Sequence, residues 1–321
     1  MACKRSAVRP RYSPQDFTEA FSINVESLFL TFILLGHIYK LSMKTKLLVA
    51  GVLCFFIVSN VIAQTLTVGS FNVRYDNPRD SGNLWSSRLP RVAALIEFHE
   101  FDIVGTQEGL QHQLDGLQAL LPGYTYYGIG RDDGAFKGEH SAIFIKKDAF
   151  TILDKGDFWL SETPTKPGFG WDARINRICS WVLLQHNATR KKMYCFNVHY
   201  DHQAMIARNE SSKLILDKIK TIAGNAPVVL TGDFNGDHSS AWYQLIANSG
   251  LLLDTYGRVA KPYLLNGTFQ GFGPNLNPDQ VIDHIFTSSH FTVSRWGVLT
   301  DSYNGKFPSD HFPVLSRITL K

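Results

Sequence analysis

The sequence has few cysteines. Only four occur among 321 residues, and just two of them, Cys179 and Cys195, follow residue 63. They lie in the apolar segments RICSWVLL and KKMYCFNV, which flank the turn QHNATR and predict a hairpin. A cross-strand disulfide would be compatible with an exported protein, but two buried thiols are the interpretation that we favour.

The larger part of the chain also lacks an excess of charge. Residues 1–63 contain seven of the 32 basic and three of the 28 acidic residues, which leaves 25 of each in the remainder. A neutral balance argues against a large basic surface for duplex nucleic acid, although a local basic patch stays open. We therefore expect no stable duplex-DNA partner, and no sequence feature indicates an obligate protein partner.

Three common catalytic motifs are missing. The sequence has no serine nucleophile elbow, no glycine-rich phosphate loop ending in Lys-Ser/Thr and no His-Glu-x-x-His zinc motif. With 44% hydrophobic residues, the chain is neither disordered nor of low complexity. It is therefore a globular protein whose chemistry must come from other residues.

The segment MKTKLLVAGVLCFFIVSNVIAQ, which starts at Met43, is short for a membrane-spanning helix of roughly 20 apolar residues. Its two lysines, apolar run and small residue Ala63 form the pattern of a secretory signal peptide. We expect a signal peptide at residues 43–63 and an exported protein, periplasmic or secreted. Residues 1–42 would be an upstream extension from a wrongly assigned start codon, or a leader; a membrane anchor is the alternative.

From residue 64 to 321 the sequence alternates strand and helix patterns, with no repeat, linker or change in composition. We predict one domain with mixed sheets covered by helices. Strands are predicted at 66–73, 102–108, 124–130, 140–147, 226–235, 280–288 and 311–320, a hairpin at 178–198, and helices at 87–101, 112–121 and 203–223.

Several predicted strands end in polar residues that a packed core does not use. These residues are Asn72, Glu108, His199, Asp201, Asp233, Asn235, Asp283, Asp310 and His311. A single one would be an ordinary structural group, but each buried carboxylate needs a partner, so the repeated pattern indicates one shared site at the edge of the sheets.

The segment LTGDFNGD, residues 230–237, illustrates the pattern. In an extended chain Asp233 and Asn235 point to one side and Phe234 points to a core, although an Asx-rich turn is the alternative interpretation. Oxygen donors of this kind suit magnesium better than zinc, and histidines titrate near neutral pH. With no covalent nucleophile evident, the residues favour water attack on a phosphate ester.

The ordered motifs FNVR, TQE, GEHSAIF, WDARINR, NVHYDH, LTGDFN, IDHIF and SDHFP resemble the endonuclease/exonuclease/phosphatase superfamily. Within it, the chain is most similar to a group of bacterial exported metal-dependent hydrolases. The resemblance covers residues 66–320. It implies an α/β fold, the DNase I-like four-layer αββα sandwich of two mixed β-sheets flanked by helices.

The resemblance also implies roles for single residues. Asn72 and Glu108 would bind Mg²⁺ or Mn²⁺, with Asp310 close by as a further candidate ligand. Asp233 and Asn235 would orient water and hold a phosphate oxygen or a second metal.

The resemblance gives the two histidines different roles. His311 would be the general base, steered by Asp283. His199 would contact phosphate or protonate the leaving group, with Glu139 as its orienting carboxylate.

Three further residues are candidates for substrate binding. Arg177 would clamp phosphate, because a guanidinium grips two oxygens at once, although a surface salt bridge is the alternative. Arg74 replaces an aspartate found in some nucleases of the superfamily and would reach substrate phosphate. Asp201 would face the substrate or support the site.

We therefore expect an exported, metal-dependent hydrolase that cleaves a phosphodiester or phosphomonoester of a small molecule, nucleotide or lipid headgroup. Aromatic residues near the predicted cavity mouth would stack on the substrate or simply pack in the core. They are Tyr75, Trp85, Trp159, Phe169 and Trp171. A nonspecific nuclease is the alternative enzyme, and a non-catalytic binding protein on the same fold is the alternative of another class.

Overall fold

The computed structural model describes residues 65–263, 266–273 and 280–321. The predicted signal peptide at 43–63 and the extension before it lie outside the described residues, so both stay predictions. Within the described ranges, no helix has both the length and the apolar character that crossing a membrane requires. The residues from Thr65 to Lys321 belong to one compact unit.

The first of two sheets has six strands. They are β1 (Thr65–Asn72), β2 (Ile103–Gly109), β3 (Tyr124–Tyr127), β4 (His140–Lys146), β11 (Phe291–Val298) and β12 (Val314–Leu320), in the order β11-β12-β1-β2-β4-β3. The pair β1 and β2 is parallel and the other pairs are antiparallel, so the sheet is mixed.

The second sheet repeats this plan. Its strands are β5 (Phe150–Trp159), β6 (Ile178–His186), β7 (Lys192–His199), β8 (Val228–Asp233), β9 (Leu253–Asp254) and β10 (Asp283–Thr287), in the order β5-β6-β7-β8-β10-β9. Here β7 and β8 form the parallel pair. The carboxyl ends of both parallel pairs therefore supply the positions where the sequence carries polar residues.

Four α-helices of the described residues cover the sheets. They are α1 (Trp85–Phe98), α2 (Gln111–Leu120), α3 (Met205–Ala223) and α4 (Ala241–Ala247). One buried apolar cluster joins α1 and α2 to the first sheet, a second lies between the sheets, and a third joins the second sheet to α3 and α4. Three apolar interfaces separate four layers, which confirms the expected αββα sandwich.

The alternation of side chains along the strands decides which residues face the other sheet. In β8, Val229 belongs to the cluster between the sheets, whereas Leu230 belongs to the cluster under α3. The same alternation places Thr231 and Asp233 on the inner face and Phe234 under the helices. The inner faces thus change from apolar to polar as the strands approach one end of the sandwich.

The two sheets touch directly through a buried polar contact. The Asn197 amide donates to the backbone oxygens of Thr106 at 2.8 Å and Ala142 at 2.9 Å, and its oxygen accepts from Gln107 at 2.7 Å and Thr231 at 3.0 Å. Gly105 faces this contact, and any side chain there would collide with Asn197. The sheets approach closely at this point because Gly105 has no side chain.

The predicted strands and helices overlap with observed elements, but the sequence interpretation missed β5, β9, β11 and α4. The strands β5 and β11 are edge strands with many exposed residues and register irregularities. Polar substitutions and bulges hide the period of two in such strands. Their omission reflects their edge position.

The two thiols are free and buried, as we favoured from the sequence. Cys195 packs between the sheets, whereas Cys179 packs in the cluster under α3. They therefore lie on opposite faces of the same sheet. Cys179 pairs in register with Val198 and Cys195 with Val182, so no cross-strand disulfide forms.

We predict that Gly105→Ala destabilises the fold by about 1–3 kcal/mol, because the new methyl group overpacks the contact at Asn197. The measurement is urea unfolding followed by circular dichroism. Gly123→Ala is the matched control, since no atom lies within 4 Å of the added carbon, and it should leave stability nearly unchanged. Equal midpoints for the two variants would contradict this description of the sheet contact.

Candidate active site

Strand register places three titratable side chains in a row on the inner face of the second sheet. His199 on β7 pairs with Asp233 on β8, and Asp233 pairs with Asp283 on β10. Directly paired residues point to the same face. All three are buried, so the end of this sheet presents two carboxylates and an imidazole to one point.

His311 completes this row from the segment before β12. Its Nδ1 lies 2.8 Å from Asp283 Oδ2, and its Nε2 lies 3.7 Å from Asp233 Oδ2. Burial opposes a charge on His311, but the carboxylates of Asp283 and Asp233 outweigh it and raise its pKa to about 10. Asp283 therefore fixes the orientation of the ring, with Nδ1 as the protonated nitrogen that donates.

The pKa of Asp233 is raised and the pKa of His199 is lowered. Burial, together with Asp283, raises the pKa of Asp233 to about 7. Burial and the nearby Arg177 hold the pKa of His199 well below its usual value. His199 is therefore neutral near pH 7. Of the two roles expected for His199, the lowered pKa favours contact with phosphate over protonation of the leaving group.

The first sheet contributes Asn72 from the end of β1 and Glu108 from the end of β2. A bulge in the pairing of β2 with β4 follows Thr106, and Glu108 adopts a left-handed φ of 67°. Such a bulge turns a side chain away from the regular alternation. Asn72 Nδ2 donates to Glu108 Oε1 and to Asp233 Oδ2, each at 3.0 Å, which joins the two sheets at the site.

Asp310 lies beside Glu108, held from the first sheet. Ser309 Oγ donates to the Asn72 backbone oxygen at 2.7 Å, which fixes the segment that carries both Asp310 and His311. Burial raises the pKa of Asp310, and the charge of Glu108 adds to this effect. Two carboxylates that repel each other in a buried position favour a bound cation.

The donor set fits a hard divalent cation. Glu108 and Asp310 offer carboxylate oxygens next to the Asn72 amide, and oxygen donors suit Mg²⁺ or Mn²⁺. In this structure the positive charge near them comes from Arg74, whose Nε lies 3.5 Å from Asp310 and Nη1 3.8 Å from Glu108. Asn72 turns its nitrogen toward the carboxylates, and its oxygen accepts from the Arg74 backbone N–H.

Arg177 is buried, with a relative exposure of 5%, and lines the same cavity as His199. Its Nη2 lies 3.1 Å from His202 Nδ1, and its Nε lies 3.7 Å from Asp201. Within the described part of the chain, Nε and Nη1 have no hydrogen-bond partner. Arg177 is therefore not a surface group, and the ion pair that it forms with Asp201 is buried.

Glu139 does not hydrogen-bond to His199. Its carboxylate accepts two bonds from Arg131, at 2.5 and 2.8 Å, and lies 3.7 Å from His199 Nδ1. Burial raises the pKa of Glu139 to about 7 although Arg131 opposes this. The sequence interpretation missed Arg131, which brings a third guanidinium into the cavity beside Arg74 and Arg177.

The other candidate residues, Asp201, Arg74 and Asn235, are bonded to other groups of the protein or lie beyond the predicted strand. Asp201 accepts backbone N–H groups at the start of α3 and lies outside the cavity that contains His311. Arg74 lines that cavity but is bound to Asp80 at 2.9 Å. Asn235 also lines it, yet β8 ends at Asp233 and Asn235 has φ of 45°.

The interpretation of LTGDFNGD as a continuous extended segment is therefore wrong at Asn235. Its backbone N–H donates to Asp233 Oδ1 at 2.9 Å, which is the Asx turn given as the alternative. Phe234 is buried in the core, as predicted. The turn, rather than strand alternation, brings Asn235 to the same cavity as Asp233.

One cavity of about 620 Å³ is lined by Glu108, His199, Asp233, Asp310 and His311. Of the predicted stacking residues only Tyr75 lines it, because Trp85 and Trp159 are core residues, and Phe169 and Trp171 lie elsewhere. Phe269 and Phe272 line the cavity as well, and the Phe269 ring centroid lies 5.0 Å from that of His311. These two residues lie in loops, where no strand or helix periodicity marks them in the sequence.

Arg88 is a further residue that sequence reasoning missed. It is 1% exposed and donates to the backbone oxygens of Val73, Arg74 and Pro308. These bonds tie the end of the first strand to the segment that carries His311. An arginine on the otherwise apolar face of the predicted helix at 87–101 was the signal available.

Residues 69–311 match the model of the Endonuclease/Exonuclease/phosphatase family. A mannosyl-6-phosphatase of Bacteroides thetaiotaomicron VPI-5482 is similar, with 47% sequence identity, a TM-score of 0.77, and coverage of 79% of this chain and 99% of that one. Another family protein of Bacteroides thetaiotaomicron has 46% identity and a TM-score of 0.79, covering 81% and 99%.

A more distant similarity exists to the CCR4-Not complex 3'-5'-exoribonuclease subunit Ccr4 of Saccharomyces cerevisiae. It is 24% identical over 296 residues, which cover 73% of this chain and 35% of Ccr4. The chain therefore spans about a third of the length of that relative.

We predict that Asp283→Asn lowers the pKa of His311 by about one unit or more in the chelator-treated protein, because the closest carboxylate is removed. NMR titration of the ring measures this. Since the folded-state pKa of His311 is raised, its contribution to stability is full below about pH 6.5 and is lost as pH rises toward 10. The variant should show a weaker pH dependence, because Asp233 still raises the pKa of His311.

The control for this titration is Asp301→Asn, which removes the partner of His99 at 3.1 Å and leaves the cavity intact. His311 should titrate in that variant as in the unmodified protein. An unchanged His311 titration in Asp283→Asn would show that Asp283 does not govern the proton on this ring.

Proposed function

The chain belongs to the endonuclease/exonuclease/phosphatase family and is a phosphoesterase, and we propose that it hydrolyses a small phosphate monoester with a divalent metal ion and a water nucleophile. The observation that carries the proposal is the cavity itself. It brings the pair of His311 and Asp283, two carboxylates suited to a cation and a buried arginine to one place.

Glu108 and Asp310, with Asn72 beside them, are the residues that would hold the ion. When bound, Mg²⁺ or Mn²⁺ polarises a phosphoryl oxygen and offsets the carboxylate charge that raises the pKa of His311. Arg74 lines the same cavity and lies 3.8 Å from Glu108 and 3.5 Å from Asp310, so it balances part of their charge.

The pair of His311 and Asp283 orients and deprotonates water in this proposal. The bond from Nδ1 to Asp283 leaves Nε2 facing the cavity, where it accepts a proton from water when the ring is neutral. Asp233, 3.7 Å from the same Nε2, stabilises the protonated ring that results. As the water oxygen bonds to phosphorus, the bond from phosphorus to the leaving oxygen breaks, and that oxygen takes a proton from solvent water. The two carboxylates thus serve orientation and charge stabilisation.

His199 and Arg177 bind the phosphate group. Because His199 is held neutral, it donates a hydrogen bond to a phosphoryl oxygen instead of supplying a proton from an imidazolium. Arg177 lines the same cavity and places its positive charge beside the phosphate position. A phosphate dianion suits this pair, since it offsets the charge of the buried guanidinium and accepts the hydrogen bond from His199.

The substrate class follows from the chemistry around this phosphate position. A cavity of about 620 Å³ accommodates a small molecule. The sequence identity of 47% to a mannosyl-6-phosphatase supports a sugar phosphate as the substrate. The aromatic rings of Tyr75, Phe269 and Phe272 line the cavity and could pack against a sugar ring. We further propose export, for which the signal peptide pattern at 43–63 is the support.

The experiment compares turnover of mannose 6-phosphate, a phosphodiester, single-stranded RNA and supercoiled DNA by the purified protein, with Mg²⁺ and with chelator. Release of inorganic phosphate measures the monoester reaction, and cleavage of the ester or of the strand measures the other three. We predict turnover of the sugar phosphate that disappears with chelator. Turnover of RNA or DNA at a higher kcat/KM would reject the monoester proposal in favour of a nuclease. A folded protein without turnover on any substrate would favour a binding protein.

Arg177→Lys tests the phosphate position in the same assay. Lysine keeps the charge but cannot grip two oxygens, so we predict a loss of about 10²-fold in kcat/KM. Arg174→Lys is the matched control, because Arg174 belongs to the same motif but is exposed and lies outside the cavity. Equal losses in both variants would contradict the assignment of Arg177.

A further inference from the structure

A second group of metal-binding side chains lies on the opposite face of the second sheet. His284 follows Asp283 on β10, so its side chain points away from the catalytic cavity and packs beside Phe234 and Phe286. His238 lies in the loop between β8 and α4, and Asp254 ends β9. Three separate elements thus meet at one point.

The donor atoms of His238, Asp254 and His284 converge. They lie within 4.8 Å of one another, with His284 Nδ1 at 3.4 Å and His238 Nε2 at 3.7 Å from the same Asp254 oxygen, Oδ2. Ligands at 2.0–2.1 Å from a tetrahedral zinc ion are roughly 3.3 Å apart. The observed separations of 3.4 and 3.7 Å are close to this value, so the side chains need to move only a little to bind such an ion.

The hydrogen bonds around this group leave lone pairs directed at each other. His284 Nε2 lies 2.9 Å from the Gly236 backbone oxygen, which can only accept, so Nε2 carries the proton. In neutral His284 the unprotonated Nδ1 then faces the Asp254 carboxylate. A backbone oxygen that fixes one nitrogen while the other faces a metal is the usual arrangement around zinc-bound histidine.

His238 provides an independent observation. Its Nε2 is buried and has no hydrogen-bond partner within the ranges that the structure describes. The Tyr256 ring stacks on it at 4.7 Å, which fixes the ring plane toward Asp254. A buried imidazole nitrogen without a partner is costly unless a cation or a proton occupies the gap.

We propose that His238, Asp254 and His284 form a second metal site that binds a zinc-class transition ion and has a structural role. Two imidazoles and one carboxylate form the ligand set that suits Zn²⁺ better than Mg²⁺, and a fourth position remains for water. The ion would pin the loop after Asn235 to β9 and β10, behind the catalytic residues. The alternative is an ionic cluster in which a proton replaces the metal.

Co²⁺ is the probe, because a tetrahedral nitrogen and oxygen site gives strong visible bands, whereas an oxygen-rich octahedral site gives weak ones. We predict strong bands from the purified protein and from Glu108→Gln, which disables the expected catalytic metal position. His238→Gln should lose these bands and bind zinc at least about tenfold more weakly in a chelator competition assay. His238 is half-buried, so the substitution spares the core.

The matched control is His186→Gln, which changes another half-buried histidine on β6 and should keep the bands. Zinc should also raise the melting temperature of the control by more than that of His238→Gln. If the unmodified protein gives no tetrahedral bands, or if His238→Gln retains them, the second metal site is rejected and the group is an ionic cluster only. This measurement does not involve turnover, so it is independent of the proposed hydrolysis.

Discussion

The contact between the two sheets at Gly105 and Asn197 is the constraint on which the active site depends. Each sheet carries only part of the site, because Asn72 and Glu108 come from the first and His199, Asp233 and Asp283 from the second. The buried amide of Asn197 bonds to backbone oxygens of the first sheet, and a missing side chain at Gly105 sets the close approach. A shift here would separate the two sets of residues.

Arginine side chains in the site lie around its carboxylates and balance part of their charge. Carboxylates lie at the centre, and Arg74, Arg131 and Arg177 surround them at the cavity wall. Buried charges without partners are unfavourable, so a hard cation and a phosphate dianion would each satisfy groups that the protein leaves incompletely paired. The same principle applies on the back of the sheet, where Asp254 lies between two imidazoles.

Much of this arrangement could be predicted from the sequence. The apolar strands and their polar ends identified the sheets and most of the site residues, since side-chain alternation is a local property. Asn235 could not be placed, because its turn depends on a bond from its N–H to Asp233. Arg88 and Arg131 also escaped, since their roles depend on contacts with residues distant in the chain, such as Pro308. The edge strands β5 and β11 were missed because their many exposed residues and register irregularities hide a periodic pattern.

The most direct test of the account measures phosphate release from mannose 6-phosphate with Mg²⁺ by the purified protein and by His311→Ala. His112→Ala is the control, since His112 is exposed and lies outside the cavity. The account predicts a loss of about 10²–10⁴-fold in kcat for His311→Ala, because the proton acceptor is removed, and little change in the control. Retention of full activity by His311→Ala would contradict the assignment of the pair of His311 and Asp283 as the catalytic base.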